Sequence, residues 1–172
     1  MRIAISGSVG VGKTTIATQL AQKLQFQCIH ANDIAKQFKI EEQQDLQTFD
    51  FDIKQCLNYI EKEYAQSQYI IFEGHFTHLL SPDFIDIIII INRDLQELRE
   101  EYTKRQYTEM KIKDNLEVES LNVCFYEAEE EGHEEHHFIV IENTQELDVE
   151  DIVLELFRKI QKKKKNTPIR VK

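Results

Sequence analysis

Residues 7 to 14 read Gly7-Ser8-Val9-Gly10-Val11-Gly12-Lys13-Thr14, which fits the spacing G-x-x-x-x-G-K-[ST]. Glycines at these positions let successive backbone N–H groups point into one concavity, and such a nest attracts an anion. A helix opening at Lys13 would add the positive end of its dipole. In a loop of this kind the lysine ammonium reaches the β- and γ-phosphates of a nucleotide while the threonine hydroxyl ligates magnesium. The implied chemistry is binding of ATP with Mg2+, followed by transfer or release of the terminal phosphate. Gly7, Gly10, Val11, Gly12, Lys13, Thr14 and Thr15 are the candidate nucleotide-binding residues, and Lys13 is the first candidate for catalysis.

A triphosphate site also needs a carboxylate at the end of a neighbouring strand to organise the cation and its waters. Glu73 meets that need by position: it follows the apolar run Tyr69-Ile70-Ile71-Phe72 and precedes Gly74, which would admit a close backbone approach. Thr14 and Glu73 are therefore the expected metal ligands. His75 and His78 come next, where an imidazole could position water or touch a phosphate oxygen. His75 is the catalytic candidate of the two. Guanine recognition would need N-K-x-D, and Asn92-Arg93-Asp94 has neither the spacing nor the lysine, so adenine is expected.

The elements that must carry these residues follow from the periodicity of apolar positions. A short strand over 2–6 and a helix over 13–24, with Ile16, Ala17, Leu20, Ala21 and Leu24 on one face, bracket the glycine loop. A second strand over 26–29 leads to a helix that Asn32 or Asp33 would cap and that runs through Phe38. A polar stretch over 41–47 separates it from a helix over 52–65 with Ile53, Leu57 and Ile60 inward. Strands are expected over 69–72 and 84–91, and the unbroken isoleucines of the latter suit a parallel strand covered on both faces. Helices over 94–105 and 108–131, a fifth strand over 137–141 and a last helix over 147–163 complete the chain. Strands alternating with helices predict an α/β fold with a parallel sheet.

At 172 residues the chain is long enough for one domain with its own core. Hydrophobic residues at 41% and charged ones at 30% favour neither a disordered nor a membrane protein. The longest apolar run, Ile87 to Ile91, falls far short of the ~20 residues that span a bilayer. Met1-Arg2-Ile3-Ala4-Ile5 leads directly into the glycine loop without a secretory apolar region, so the protein is expected to stay inside the cell. Cys28, Cys56 and Cys124 are odd in number and form no C-x-x-C pair, which reads as reduced packing residues.

The net charge of -10 is uneven: eight basic residues and no acid follow from Arg158 onward, which leaves 13 basic against 31 acidic residues before it. Such a body repels nucleic acid except through the tail, where Lys162 to Lys165 read either as a targeting or RNA-contacting patch or as solvated helix-end lysines. His133, His136 and His137 stand among glutamates, but no ordered ligand spacing recurs, so they read as a polar connection before a strand.

Three stretches resemble one known family. They are Ile5-Ser6-Gly7 through Thr14-Thr15, the strand end Glu73-Gly74-His75, and Arg105-Gln106-Tyr107-Thr108-Glu109-Met110-Lys111-Ile112-Lys113-Asp114-Asn115-Leu116-Glu117. Together they resemble the adenylate kinase isoenzyme 6 family, also called coilin-interacting nuclear ATPase proteins, over residues 2–160. The third looks like that family's R-G-Y-[ST]-E-x-K-[IL]-x-[DE]-N lid. The resemblance implies a P-loop nucleoside monophosphate kinase fold: five parallel strands in the order 2-3-1-4-5, with helices on both faces. It further implies a single domain over 1–160, an AMP-binding arm over 31–66, a mobile lid over 105–119 and a basic tail over 161–172.

The activity so implied is transfer of phosphate from ATP to AMP, giving ADP, accompanied by ATP hydrolysis. Family members are associated with maturation of the small ribosomal subunit through a ribosomal protein, in the nucleus and cytoplasm; the acidic body fits a basic partner of that kind. Arg105, brought in by lid closure, would join Lys13 and His75 in catalysis, while Asn143 and Thr144 would lie by the adenine. Arg93 would either do similar work or pair with Asp94 or Glu97. Four positions depart from the family pattern: Glu73 begins the E-x-H that replaces D-x-H, Lys36 and Glu101 stand where arginine is usual, and Gln106 replaces a lid glycine. A lysine offers a point charge where a guanidinium would grip phosphate twice. That leaves open a second reading, an ATP-hydrolysing assembly factor that acts as a switch on a ribosomal protein.

Overall fold

Strands made of consecutive β-branched residues can be stable only when both faces are covered, and this chain covers them with helices. A computed structural model describes residues 1–43, 48–144 and 148–166. In chain order it contains β1 (Arg2–Ser6), α1 (Lys13–Leu24), β2 (Gln27–His30), α2 (Ala31–Ala35), β3 (Lys39–Gln43), β4 (Thr48–Phe51) and α3 (Ile53–Glu63). There follow β5 (Ile70–Glu73), β6 (Ile87–Asn92), α4 (Leu95–Lys104), α5 (Glu109–Ser120), α6 (Val123–Glu130), β7 (Phe138–Glu142) and α7 (Val149–Asn166). None of the described helices is long and apolar enough to cross a membrane.

The main sheet has the order β2-β5-β1-β6-β7, and all its pairings are parallel. Counting only its five strands, this is the order 2-3-1-4-5 that the family resemblance implies. Alternation along the strands divides the core in two. Ile3, Ile5, Ile89 and Ile91 pack on one face with Ile16 and Leu20 of α1 and Ile152 and Leu156 of α7. Ala4, Phe72, Ile88 and Ile90 pack on the other with Cys56 and Ile60 of α3 and Cys124 and Ala128 of α6. Each fully buried isoleucine contributes about 1.5–3 kcal/mol, so β1, whose Ile3, Ala4 and Ile5 are wholly buried, is a rigid base for the glycine loop. β1, β5, β6 and β7 end at Ser6, Glu73, Asn92 and Glu142, so the glycine loop, Glu73, Arg93 and Asn143 all emerge at the edge where open α/β sheets bind ligands.

The structure departs from the sequence expectations in four places. β3 and β4 form an antiparallel hairpin where only a polar connection is expected. Phe49 and Phe51 pack against the core but Ile40 is 70% exposed, so burial is too slight to impress a strand period on the sequence. Residues 44–47 of that stretch lie outside the described residues. The helix expected over 108–131 is two helices, α5 and α6, divided at Leu121 and at Asn122, whose φ of 50° is left-handed. Asparagine tolerates that conformation as a single residue, and because apolar spacing continues on both sides of it the break leaves little trace.

Neither Asn32 nor Asp33 caps α2. The capping position falls on His30, and Asp33 lies inside the helix with its carboxylate 2.7 Å from Lys36 Nζ. Finally, Phe84 and Ile85 precede β6 in a turn closed by their N–H groups on Ser81 O. The expectation for Lys162 to Lys165 lies outside the described side chains.

Candidate functional site

The loop after β1 is held in shape from outside. Tyr102 Oη donates to Val9 O at 2.5 Å, Arg93 Nη1 to Gly10 O at 3.2 Å and Asn143 Nδ2 to Val11 O at 2.6 Å. Across a planar trans peptide the next N–H points opposite to the carbonyl. Anchoring these three oxygens in the surrounding protein therefore turns the N–H groups of Gly10, Val11 and Gly12 to the opposite side of the chain, and Gly10 and Gly12 line the cleft. Gly12 sits at φ 97°, and a Cβ there would collide with the Asn143 amide, so this position admits only glycine. Lys13 is buried, and its ammonium bridges Gly7 O (2.9 Å) and Ser8 O (2.7 Å). Burial pushes its pKa below the usual lysine value, and the Glu73 carboxylate opposes that shift.

Beside the loop, Thr14 Oγ1 donates to Glu73 Oε1 at 3.1 Å, and the other oxygen, Oε2, lies 2.8 Å from His30 Nδ1. His75 opens onto the cleft with Phe51 and Phe76 edge-on to its ring. Surrounding protein, with smaller contributions from Lys13 and His78, lowers its pKa to about 4, so it is neutral near pH 7. Arg105 follows α4 as its C-terminal cap, and its Nε donates to Glu101 Oε1 at 2.8 Å, one turn back. These groups, with Arg93 and Asn32, line one cleft of about 390 Å³. It is bounded by amides, one ammonium, two guanidinium groups and adjacent hydroxyl and carboxylate oxygens, a set that suits a polyphosphate with a hard cation.

The family model for the AAA domain matches residues 3–122. A Methanocaldococcus jannaschii protein named "Putative adenylate kinase" is 34% identical over 166 residues, which cover 95% of this chain and 88% of that protein. The Schizosaccharomyces pombe adenylate kinase isoenzyme 6 homolog is 33% identical over 132 residues, 74% of each chain. This chain belongs to the adenylate kinase isoenzyme 6 family. It is a nucleotide kinase of the P-loop class. Among solved structures, deoxyadenosine kinase from M. mycoides with bound dATP matches 94% of this chain and 100% of its own at a TM-score of 0.55 and 18% identity, a likeness of fold.

As a member of the adenylate kinase isoenzyme 6 family, the chain brings Gly10, Gly12, Lys13, Thr14, Thr15, Glu73, His75 and Arg105 to this one cleft. Gly7 and Val11 are buried in the loop's base. Asn143 reaches the loop itself, its amide nitrogen donating to Val11 O at 2.6 Å. Arg93 pairs with Glu97 (3.0 Å) as well as holding Gly10 O, while Asp94 instead caps α4. His78 turns away from the cleft: its ring is buried between Ser6 Oγ (2.7 Å) and Glu127 Oε2 (2.8 Å). Burial lowers its pKa, and Glu127 partly offsets this. His133 and His137 are likewise internal, within hydrogen-bond reach of Leu80 O and Glu134 N.

Three residues that the sequence did not single out support the loop and the cleft from behind: Tyr102, Glu119 and His30. Tyr102 is fully buried and stacked 5.7 Å from Tyr107. Its i, i+4 spacing from Leu98 reads only as a core face. Glu119 is buried with Oε1 accepting from Arg93 N at 2.7 Å, and burial raises its pKa against the hydrogen bonds from Ser8 and Arg93. Tyr102→Phe keeps the ring and strips Val9 O of its donor, so it should destabilise the protein by about 1–3 kcal/mol. In a domain of this size each kcal/mol lowers the melting midpoint by about 2–4 °C, a shift that thermal denaturation followed by circular dichroism would register.

Proposed function

We propose that this protein transfers the γ-phosphoryl group of ATP to AMP, forming two ADP, and hydrolyses ATP when no acceptor is bound. One observation supports the reading: Val9, Gly10 and Val11 each have their carbonyl tied to a side chain from much later in the chain, which turns the amides that follow away from those partners and suits them to phosphate oxygens. Thr14 Oγ1 and Glu73 Oε1, 3.1 Å apart, are hard oxygen donors of the kind Mg2+ prefers. They would hold that ion, Thr14 directly and Glu73 through water, and when bound it spreads the charge on the β- and γ-phosphates. Lys13 would bind the same oxygens. Arg105, tethered through Nε, would present its terminal nitrogens to the migrating phosphoryl group.

Transfer would begin with an AMP phosphate oxygen approaching the γ-phosphorus in line. A bond forms there as the bridge to the β-phosphate breaks, and ADP leaves. The attacking oxygen already bears negative charge, so no base is needed; neutral His75 fits a role in ordering water or acceptor by hydrogen bonding. Residues 31–66 would serve as the AMP arm and 105–119 as a lid whose closure excludes water, the competing acceptor.

The test is to measure ATP loss with Mg2+ in the presence and absence of AMP. The expected result is an acceleration of at least about tenfold, the size that a positioned acceptor readily provides, with two ADP per AMP consumed and little free phosphate. A second reading has its own observation: Lys36 is tied to Asp33 and Glu101 stands in the cleft where the family has arginine, both of which weaken the grip on an acceptor phosphate. It is an ATP-driven assembly factor acting on a basic small-subunit ribosomal protein. Phosphate release that ignores AMP and responds to such a partner would favour it.

A further inference from the structure

We propose that His30 is a positioning residue for the cation site: it fixes the rotation of the Glu73 carboxylate and thereby sets the affinity for Mg2+ bound with nucleotide. The inference rests on the preceding reading that Thr14 and Glu73 hold the ion. Glu73 ends β5 and is only 4% exposed, so its carboxylate has few ways to turn. Thr14 Oγ1 takes one oxygen at 3.1 Å and His30 Nδ1 the other at 2.8 Å. The two grips come from different elements, the first turn of α1 and the end of β2, and they hold different oxygens of the carboxylate.

A carboxylate only accepts, so the proton of this hydrogen bond resides on Nδ1. The chain leaves Glu73 close beside α2, where a Cβ on Gly74 would meet Ala31 Cβ at 3.1 Å and Asn32 Oδ1 at 3.2 Å. When the cation draws on the Thr14 hydroxyl oxygen, the Thr14 to Glu73 hydrogen bond is the one at stake. The His30 bond, on the far oxygen, is then the one left to hold the plane of the carboxylate. Partners that orient a metal's direct ligands typically change its affinity 10- to 100-fold when lost, and His30, acting through a carboxylate that reaches the ion by way of water, belongs at the low end of that range.

The geometry gives a discriminating set of variants. Asparagine carries an amide N–H at about the distance of Nδ1 from the main chain, whereas glutamine carries it about where Nε2 stands. Mn2+ binding to the protein with ADP, read by electron paramagnetic resonance, should therefore weaken about 10-fold or more in His30→Ala and His30→Gln and stay within about 3-fold of wild type in His30→Asn. ADP affinity measured by calorimetry in EDTA should be the same in all four proteins. Equal Mn2+ affinity throughout, an asparagine variant as weak as alanine, or an equal loss of metal-free ADP binding would overturn the proposal. If wild type itself bound no Mn2+ with ADP, the reading of Thr14 and Glu73 as the cation site would fail first.

Discussion

Lys13→Ala is expected to lower ATP turnover about 10²- to 10³-fold, the usual cost of removing one charged donor from a phosphate or oxyanion site. Two effects add. The ammonium that would follow the β- and γ-oxygens is gone, and Gly7 O and Ser8 O lose the donor that now joins them across the loop. The second effect can loosen the loop without unfolding the protein, because Tyr102, Arg93 and Asn143 still hold the next three carbonyls. Steady-state ADP formation and a thermal melt on the same preparation separate these contributions. A variant that melts near wild type yet keeps more than a tenth of its turnover would remove Lys13 from the mechanism.

Arg105→Ala should cost about 10³-fold in kcat with a much smaller change in KM for ATP, since an arginine of this type acts on charge that develops in the transition state. Arg105 is half-exposed and forms an ion pair with Glu101, four residues earlier. Exposed pairs at that spacing contribute about 0.3–0.5 kcal/mol, so folding should hardly notice the change. Arg105→Lys keeps the charge but not the fork, and should recover only part of the rate. A loss expressed mainly as a higher KM would make Arg105 a binding group instead.

Much of this site could be read from the chain because its parts are local. The loop from Gly7 to Thr14 lies between an apolar strand and an amphipathic helix, and Glu73 follows an apolar run, so spacing alone announced them. Residues that act across the fold were silent. Tyr102 has the helical spacing of any core residue, and its hydroxyl finds Val9 only through a contact 93 positions away. His30 gives no signal until β2 pairs with β5 in the register that sets His30 opposite Glu73. The hairpin of β3 and β4 escaped for another reason: Lys39, Ile40 and Glu41 of its first strand face water, and alternation is imposed by burial. The division between α5 and α6 depends on one asparagine whose unusual dihedral has no counterpart in hydropathy.

The donors that shape the loop come from late in the chain: Arg93 lies 83 positions beyond Gly10, Tyr102 93 beyond Val9 and Asn143 132 beyond Val11. Synthesis delivers the glycine motif first and its supports last. A growing polypeptide that has just released β1 and α1 thus owns the motif in writing but has no receptor for nucleotide. Full affinity should arrive only once β7 docks and brings Asn143 to Val11, which makes tight ligand capture a sign that the whole sheet has closed.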